Sequence, residues 1–272
     1  MTGLLLLAVL QFGSGEFVSL LERVAEGWNQ GDSRKAAECF TEDAVYIEPP
    51  DRQLYRGREE LRRFFGGDSG RPGAMSMSWR NVVFDEDLQV GFGEFTFSYG
   101  SQVHGSVVMK LRDGRIHRWR EYWYESDLTY PAFVSESAFA PAGSGAKPVD
   151  LLEKVAAAWN ESDADAAAAL FSEDAVYMEP PDRQRYRGRE ALREFFAETA
   201  RIAPMMMKWH HLVFDSAAGI GAGEYTFEWN GRKLHGIAWV QVEDGVIRRW
   251  REYQYPSELN WEAFVGASGF PR

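Results

Sequence analysis

Residues that would announce a redox, metal or polyanion chemistry are scarce in this sequence. Cysteine occurs once, at Cys39, so no internal disulfide can form. We read Cys39 as a small buried apolar residue. There are five histidines, and no helical pattern carries two of them at metal-ligand spacing, so no metal site is expected. Positive charge is short: 30 Lys and Arg stand against 41 Asp and Glu, a net charge of −11, which repels polyanions and argues against a nucleic-acid partner. Long apolar runs are missing too. The stretch "LLLLAVL" at 4–10 follows no basic residue, precedes no small-x-small cleavage site and is far too short to cross a bilayer. It reads as a non-cleaved extension, with no membrane partner and a cytoplasmic protein expected. Glycine-rich phosphate loops are also lacking, because "GFGEF" and "GIGAGEY" sit inside strand patterns rather than opening helices. No cofactor is expected.

Hydrophobic residues make up 45% of the chain and aromatics 14%, enough for packed cores throughout. The dominant feature is a repeat. "EPPDRQLYRGREELRRFF" at 48–65 returns as "EPPDRQRYRGREALREFF" at 179–196, 131 positions later. The same spacing carries Trp28 onto Trp159 and "EDAVY" at 42–46 onto 173–177; Cys39 meets Leu170 and so belongs to no repeated site. The spacing is 130 where Trp79 meets Trp209 and "GEFTF" meets "GEYTF", and 131 again from His104 and His235 onward. A single-residue change in a turn between strands absorbs the difference. We therefore divide the chain into an extension at 1–15, a first unit at 16–134, a Ser-, Gly-, Ala- and Pro-rich linker at 135–148, a second unit at 149–265 and a tail at 266–272.

Each unit opens with apolar residues at helical spacing: Phe17, Leu20, Leu21, Val24 and Trp28 in the first, Leu151, Leu152, Val155 and Trp159 in the second. A short helix at 33–40 and its counterpart at 164–171 follow. "AVYIE" then reads as a strand that the proline pair stops, "QLYRG" as a second short strand, and Gly57 leads into a third helix carrying Leu61, Phe64 and Phe65 on one side. Strand-like runs at 75–84, 89–99, 103–111 and 115–124 complete the unit. Helices first and an antiparallel sheet after them make each copy an α+β unit.

The segments "GWNQGDSRKAAECFTEDAVYIEPP", "YRGREELRRFF" and "VHGSVVMKLRDGRIHRWREYW", with their second copies, resemble the nuclear transport factor 2-like superfamily, in particular its SnoaL-like and ketosteroid-isomerase-like branches. The resemblance covers nearly all of each copy. It implies two tandem cystatin-like conical domains, each a bent antiparallel sheet wrapped around three N-terminal helices, with a small-molecule pocket inside each cone. It also implies that the general base of the isomerases falls at Glu48 before Pro49, and at Glu179 before Pro180, as a glutamate where those enzymes use aspartate. Their oxyanion-stabilising tyrosine falls at Val24 and Val155, and their second donor near Val107 and Ala238. None of these four can donate a hydrogen bond, so steroid isomerisation by that route is not expected.

Glu48 and Glu179 are accordingly candidate catalytic bases, with a salt bridge to Arg52, Arg56 or a late-strand arginine as the structural reading. His104 and His235, the histidines that match between copies, are candidate proton carriers or buried structural groups. Arg52, Gln53 and Tyr55, with Arg183, Gln184 and Tyr186, are candidate substrate contacts at the lip; Asp51 reads as a turn residue. Trp28, Trp119, Trp159 and Trp250 are expected to shape the pockets. Strand alternation puts Arg118, Arg120 and Tyr122 on one face and Trp119, Glu121 and Trp123 on the other, without saying which faces the cone. Arg120 and Arg251 are included as substrate contacts, and Arg120 as the expected partner of Glu121 or Glu48. The function expected is cofactor-independent acid–base chemistry (isomerase, cyclase, dehydratase or hydrolase) on a small, largely apolar, oxygenated substrate. The alternative is a non-catalytic ligand-binding or scaffold module. The two repeats are expected to pair as an internal pseudo-dimer, the chain being a monomer or homodimer.

Overall fold

The computed structural model describes residues 12–71, 74–139 and 149–270. The apolar run at 4–10 and most of the linker lie outside them.

The first unit begins with α1 (Ser14–Asn29), which buries Phe17, Leu20, Leu21, Val24 and Trp28 along one face. Its start is fixed by Glu16, whose carboxylate accepts the Gly13 N–H at 2.8 Å. Next comes α2 (Ser33–Glu38), capped by Asp32, which accepts the Lys35 N–H at 2.9 Å. The two helices meet at Gly27, where a Cβ would lie 2.6 Å from the Ala36 nitrogen, so only glycine allows the contact. The strands β1 (Phe40–Glu48) and β2 (Gln53–Arg56) follow, then α3 (Arg58–Phe64), β3 (Ser76–Asp85), β4 (Val90–Tyr99), β5 (Ser101–Arg112), β6 (Arg115–Glu125) and α4 (Tyr130–Val134). The second unit repeats this order as α5 (Val149–Asn160), α6 (Ala164–Ala169), β7 (Phe171–Glu179), β8 (Gln184–Arg187), α7 (Arg189–Ile202), β9 (Met205–Asp215), β10 (Ile220–Trp229), β11 (Arg232–Glu243), β12 (Val246–Pro256) and α8 (Trp261–Val265).

Each unit carries one six-stranded sheet, ordered β2-β1-β6-β5-β4-β3 and β8-β7-β12-β11-β10-β9. The pairings are antiparallel except β1 with β6 and β7 with β12, which are parallel, a detail the local strand patterns do not carry. The first helix lies across the far end of the sheet and is fastened to its edge strand. Asn29 exchanges hydrogen bonds with the backbone of Met77 (3.0 and 2.6 Å), and Trp79 Nε1 donates to the Leu21 carbonyl at 2.8 Å. Asn160 with Met207 and Trp209 with Leu152 repeat the arrangement. One core fills each cone between helices and sheet.

A third core lies between the outer faces of the two sheets, built from Phe92, Val108, Tyr122 and Phe133 of the first unit and Ile237, Trp239, Tyr253 and Phe264 of the second. Two reciprocal ion pairs cross it. Arg120, fully buried, grips Glu224 through Nε (2.6 Å) and a terminal nitrogen (2.5 Å), and donates to the Ser268 carbonyl at 2.7 Å. Arg251 grips Glu94 in the same way (2.8 and 2.6 Å) and donates to the Ser137 carbonyl. The tyrosines two positions on complete the pattern, Tyr122 donating to Glu224 at 2.7 Å and Tyr253 to Glu94 at 2.8 Å. Burial raises the Glu94 carboxyl, but Arg251, Asn81 and Tyr253 outweigh it and hold the group below the ordinary carboxylate range. Arg120 and Arg251 are therefore not substrate contacts, and Arg120 pairs with neither Glu121 nor Glu48. Segments read as linker and tail also take part, because Ser137 and Ser268 are fully buried acceptors in this layer.

Candidate active site

Each cone encloses a cavity against its inner sheet face. In the first it is lined by Trp28, Tyr46, Gln53, Phe97, Glu121 and Trp123, among others, and measures about 220 Å³. In the second, Trp159, Tyr177, Gln184, Phe227, Glu252 and Gln254 line a cavity of about 680 Å³.

The chemistry of both cavities centres on a carboxylate from the last strand. Parallel pairing of β1 with β6 sets Tyr46 beside Trp119, and their rings stack at 5.2 Å with an 11° tilt. Two residues further along β6, on the same face, Glu121 accepts hydrogen bonds from both: Tyr46 Oη and Trp119 Nε1 each lie 2.9 Å from its Oε2. In the second unit Tyr177 (2.8 Å) and Trp250 (2.7 Å) converge on Glu252 Oε1, and Gln254 bonds its other oxygen. Among the described residues neither glutamate has a salt-bridge partner. Burial pushes each carboxyl up to about 7, although the indole and phenol donors pull the other way; the adjacent glutamate of the lip, Glu48 or Glu179, adds to the rise.

A second feature recurs in both cavities. Trp28 and Trp159 line the cavities, and their Nε1 groups are buried without a hydrogen-bond partner among the described residues. An unpaired buried donor costs about 1–3 kcal/mol. These donors sit one turn beyond Val24 and Val155, the positions at which no donor was expected.

The other candidate residues distribute as follows. Gln53 and Gln184 line the cavities. Trp119 and Trp250 are fully buried and act on the site through the glutamates they hold. Glu48 and Glu179 are buried at the ends of β1 and β7 but line neither cavity. Glu48 is ion-paired to Arg52 and lies 3.4 Å from Gln53 Nε2, while Glu179 accepts from Tyr124 of the other unit at 2.6 Å. Arg52 and Arg183 lie over Tyr255 (4.2 Å) and Tyr124 (4.0 Å), bridging the units rather than facing ligand. Tyr55 and Tyr186 stack on Phe64 and Phe195 at 4.0 Å, outside the linings.

His104 and His235 are on the opposite face of their strands, toward the other unit, because Val103, Val107 and Met109 point into the cone. Both ring nitrogens are committed: His104 lies 3.0 Å from Thr96 Oγ1 and 2.8 Å from the Leu128 carbonyl, His235 2.8 Å from Thr226 and 3.1 Å from Leu259. Burial lowers both imidazoles. They are structural groups, and the proton-carrier expectation is corrected. In the sequence Glu121 reads as the partner of an arginine rather than a site residue and Glu252 has no assigned role; the alternation in "RWREYW" and "RWREYQ" is the one signal that sets them on a strand face.

A model of the SnoaL-like domain matches the sequence twice, at residues 21–119 and 152–250. The chain belongs to the SnoaL-like domain family. Its fold is the cystatin-like, nuclear transport factor 2-like α+β fold, present twice. Similar solved structures each span about one unit. An LEH-like epoxide hydrolase from M. tuberculosis is 21% identical, covering 39% of this chain and 81% of its own, with a TM-score of 0.35. A cystatin-like protein from Methylobium petroleophilum is 14% identical over 50% and 99% of the two chains (TM-score 0.37), and an NTF2-like protein from Cytophaga hutchinsonii 15% identical over 41% and 93% (TM-score 0.36). No curated protein matches. No helix among the described residues of this SnoaL-like chain is long and apolar enough to cross a membrane.

The raised carboxyls of the two SnoaL-like units have a measurable consequence for stability. An unfolded glutamate titrates at about 4.3, so the folded state binds these protons more tightly than the unfolded chain does. Their contribution is complete below about pH 4 and is lost as the pH rises through about 7. Glutamine keeps the acceptor oxygen and cannot ionise. The Glu121→Gln/Glu252→Gln protein is therefore expected to be more stable than the parent at pH 8, by roughly 3–4 kcal/mol per site, and to lose most of that advantage at pH 5. Urea unfolding at the two pH values measures this; an equal difference at both would contradict it.

Proposed function

We propose that this SnoaL-like chain is a cofactor-independent enzyme that moves a proton on a small, largely apolar, oxygen-bearing molecule, with Glu252 and its counterpart Glu121 as acid–base groups. The observation that carries the reading is a carboxylate walled in by aromatic rings, held by a tyrosine and a tryptophan, unpaired with any cation among the described residues, and titrating near neutrality. General acid–base catalysis is most effective when the group's pKa lies near the working pH, and burial without a counter-charge achieves that.

Each part of the cavity has a role in this scheme. The aromatic walls take the apolar body of the substrate, and the free indole N–H of Trp28 or Trp159 takes a carbonyl or hydroxyl oxygen. The carboxylate accepts a proton from an adjacent C–H or O–H, the electron pair moves toward the oxygen held by the indole, and the carboxylic acid returns the proton to the rearranged product. Isomerisation and cyclisation use this sequence; in dehydration the carboxylic acid gives its proton to the departing hydroxyl, which leaves as water, and in hydrolysis the deprotonated water oxygen bonds to carbon as a C–O bond breaks and the proton goes to the oxygen released. The two units are proposed to act as an internal pseudo-dimer, supported by the reciprocal arginine–glutamate pairs across the sheets.

The test is turnover against pH on a panel of unsaturated ketones, epoxides and hydroxyketones. With the carboxylate as base, kcat is expected to rise with pH through a limb centred near 7 and then level off. A profile flat between pH 5.5 and about 8.5 would count against either glutamate as the proton acceptor.

A further inference from the structure

The two cavities have diverged in a way that the repeated sequence around them conceals. Their volumes, about 220 and 680 Å³, fall on either side of a physical threshold. Pockets that enclose a typical metabolite-sized ligand measure roughly 300–1,000 Å³, whereas a cavity of about 150 Å³ holds a single benzene ring. The first cone has room for a one-ring molecule and the second for a much bulkier one.

Named residues account for the difference. On the last strand Trp123 stands opposite Gly105, and at the same register position of the second unit Gln254 stands opposite Gly236. Trp123 occupies the first cavity's wall with a full indole, with the Arg52 guanidinium 5.7 Å from its ring. Gln254 is slimmer, and its amide is drawn aside to bond Glu252. Its backbone is held in place by the first unit, because the Gln254 N–H donates to Tyr124 Oη at 2.6 Å while that hydroxyl donates to Glu179.

A second difference lies at the mouth. In the first unit Gly66 and Gly67, both at positive φ, end α3 after seven residues. The chain then returns as Arg71, whose guanidinium covers Phe64 (4.5 Å) and Tyr99 (5.3 Å) and lines the cavity. In the second unit Ala197 and Glu198 stand where the glycines were, α7 continues to fourteen residues, and Thr199 from its extra turns lines the wall instead. Trp229 Nε1 donates to the Thr199 carbonyl at 2.9 Å and ties that longer helix to β10.

We infer that the second cavity alone receives the substrate, an apolar molecule of several fused rings' bulk bearing an oxygen function, and that the residue at position 254, with its counterpart at 123, sets which cavity is open. This rests on the proposed acid–base reading for its chemistry, which it narrows to Glu252; its occupancy can be measured without any turnover. The first unit then serves as the partner that positions the second site, through Tyr124.

Fluorescence titration with 1-pyrenemethanol, a fused-ring alcohol, and with benzyl alcohol as the one-ring control tests the assignment. The parent protein is expected to bind one 1-pyrenemethanol per chain. Gln254→Trp should weaken that binding at least tenfold, Trp123→Gln should raise the stoichiometry to two, and the double exchange should restore one. Each substitution installs the residue that the other copy carries at the same register. Should Gln254→Trp not fold, the gain of a second site in Trp123→Gln decides alone. Two equivalent sites in the parent, or binding unaffected by Gln254→Trp, would overturn the inference. One bound 1-pyrenemethanol, lost in Gln254→Trp, in a protein without turnover on any panel compound would remove the proposed function and leave this assignment standing.

Discussion

Glu252→Gln is expected to lower kcat by about 10²–10⁴-fold, the range that a positioned general acid or base contributes, while changing KM by less than about threefold. The substitution is nearly isosteric. Glutamine can still accept from Tyr177 and Trp250, so the aromatic wall that binds substrate keeps its place. What disappears is a proton acceptor titrating at about 7. A loss confined to kcat marks an interaction made in the transition state. Glu179→Gln is the informative control. Glu179 is also buried and also raised by burial, yet it stands outside the cavity with its carboxylate taken up by Tyr124 and, at 4.0 Å, by Arg183. Its replacement should cost less than about tenfold, through the position of the wall. Steady-state kinetics of the two variants decide between them: equal losses, or a loss only in Glu179→Gln, would return the role to the lip glutamate.

Arg251→Met should destabilise the protein by about 3–5 kcal/mol, because it removes one partner of a fully buried ion pair and leaves the Glu94 carboxylate stranded. That is a large share of the 5–15 kcal/mol typical of a folded protein. The group left behind remains within reach of Asn81 (2.5 Å), Tyr130 (3.0 Å) and Tyr253, which soften the loss without neutralising the charge. Adding Glu94→Gln removes the charge and is expected to recover a third or more of the loss, so the double variant should be more stable than Arg251→Met alone. The parent's pair has a pH signature of its own. Its carboxyl is held below the unfolded value, so its stabilisation is present above about pH 4 and is lost as the pH falls through the lowered folded value. Since the pair ties the two sheets together, urea unfolding should be a single transition in the parent and broaden or split in Arg251→Met. A loss under about 1 kcal/mol would show that this layer is not what couples the units.

How far the sequence reached depended on the range of the interaction. The helical stripe from Phe17 to Trp28 and the strand runs around "GEFTF" were legible because 3.6-residue and two-residue periodicities are local properties of the backbone. Alternation in "RWREYW" correctly separated Trp119, Glu121 and Trp123 from Arg120 and Tyr122. The identity of the inner face was not legible, since it depends on which residues of β1 and α1 pack against that strand. Glu48 stands out in the sequence through its place before Pro49, but it is paired with Arg52, four residues on, and lines neither cavity. His104, in the sequence a candidate proton carrier or a buried structural group, is held from both ring nitrogens by Thr96 and Leu128, the second of them 24 residues away. The unequal cavities did leave marks in the sequence, Trp123 against Gln254 and Gly66-Gly67 against Ala197-Glu198, but such differences acquire meaning only when the positions are known to line a cavity.

By itself the sequence determined that one α+β unit is written twice, where most of its helices and strands fall, though not the short helices α4 and α8 that close each unit, and which side chains share a strand face. All of these follow from local sterics and short-range periodicity. Only the tertiary structure decided which carboxylate is the candidate catalyst and which arginines are structural. A carboxyl rises to about 7 when residues distant in the chain, such as Tyr46 and Trp28 around Glu121, exclude water from it and, among the described residues, no cation pairs with it directly. An arginine becomes part of the frame when the other copy, more than a hundred residues away, brings a glutamate to it. Desolvation and charge pairing act through space, and the order of residues does not reveal them.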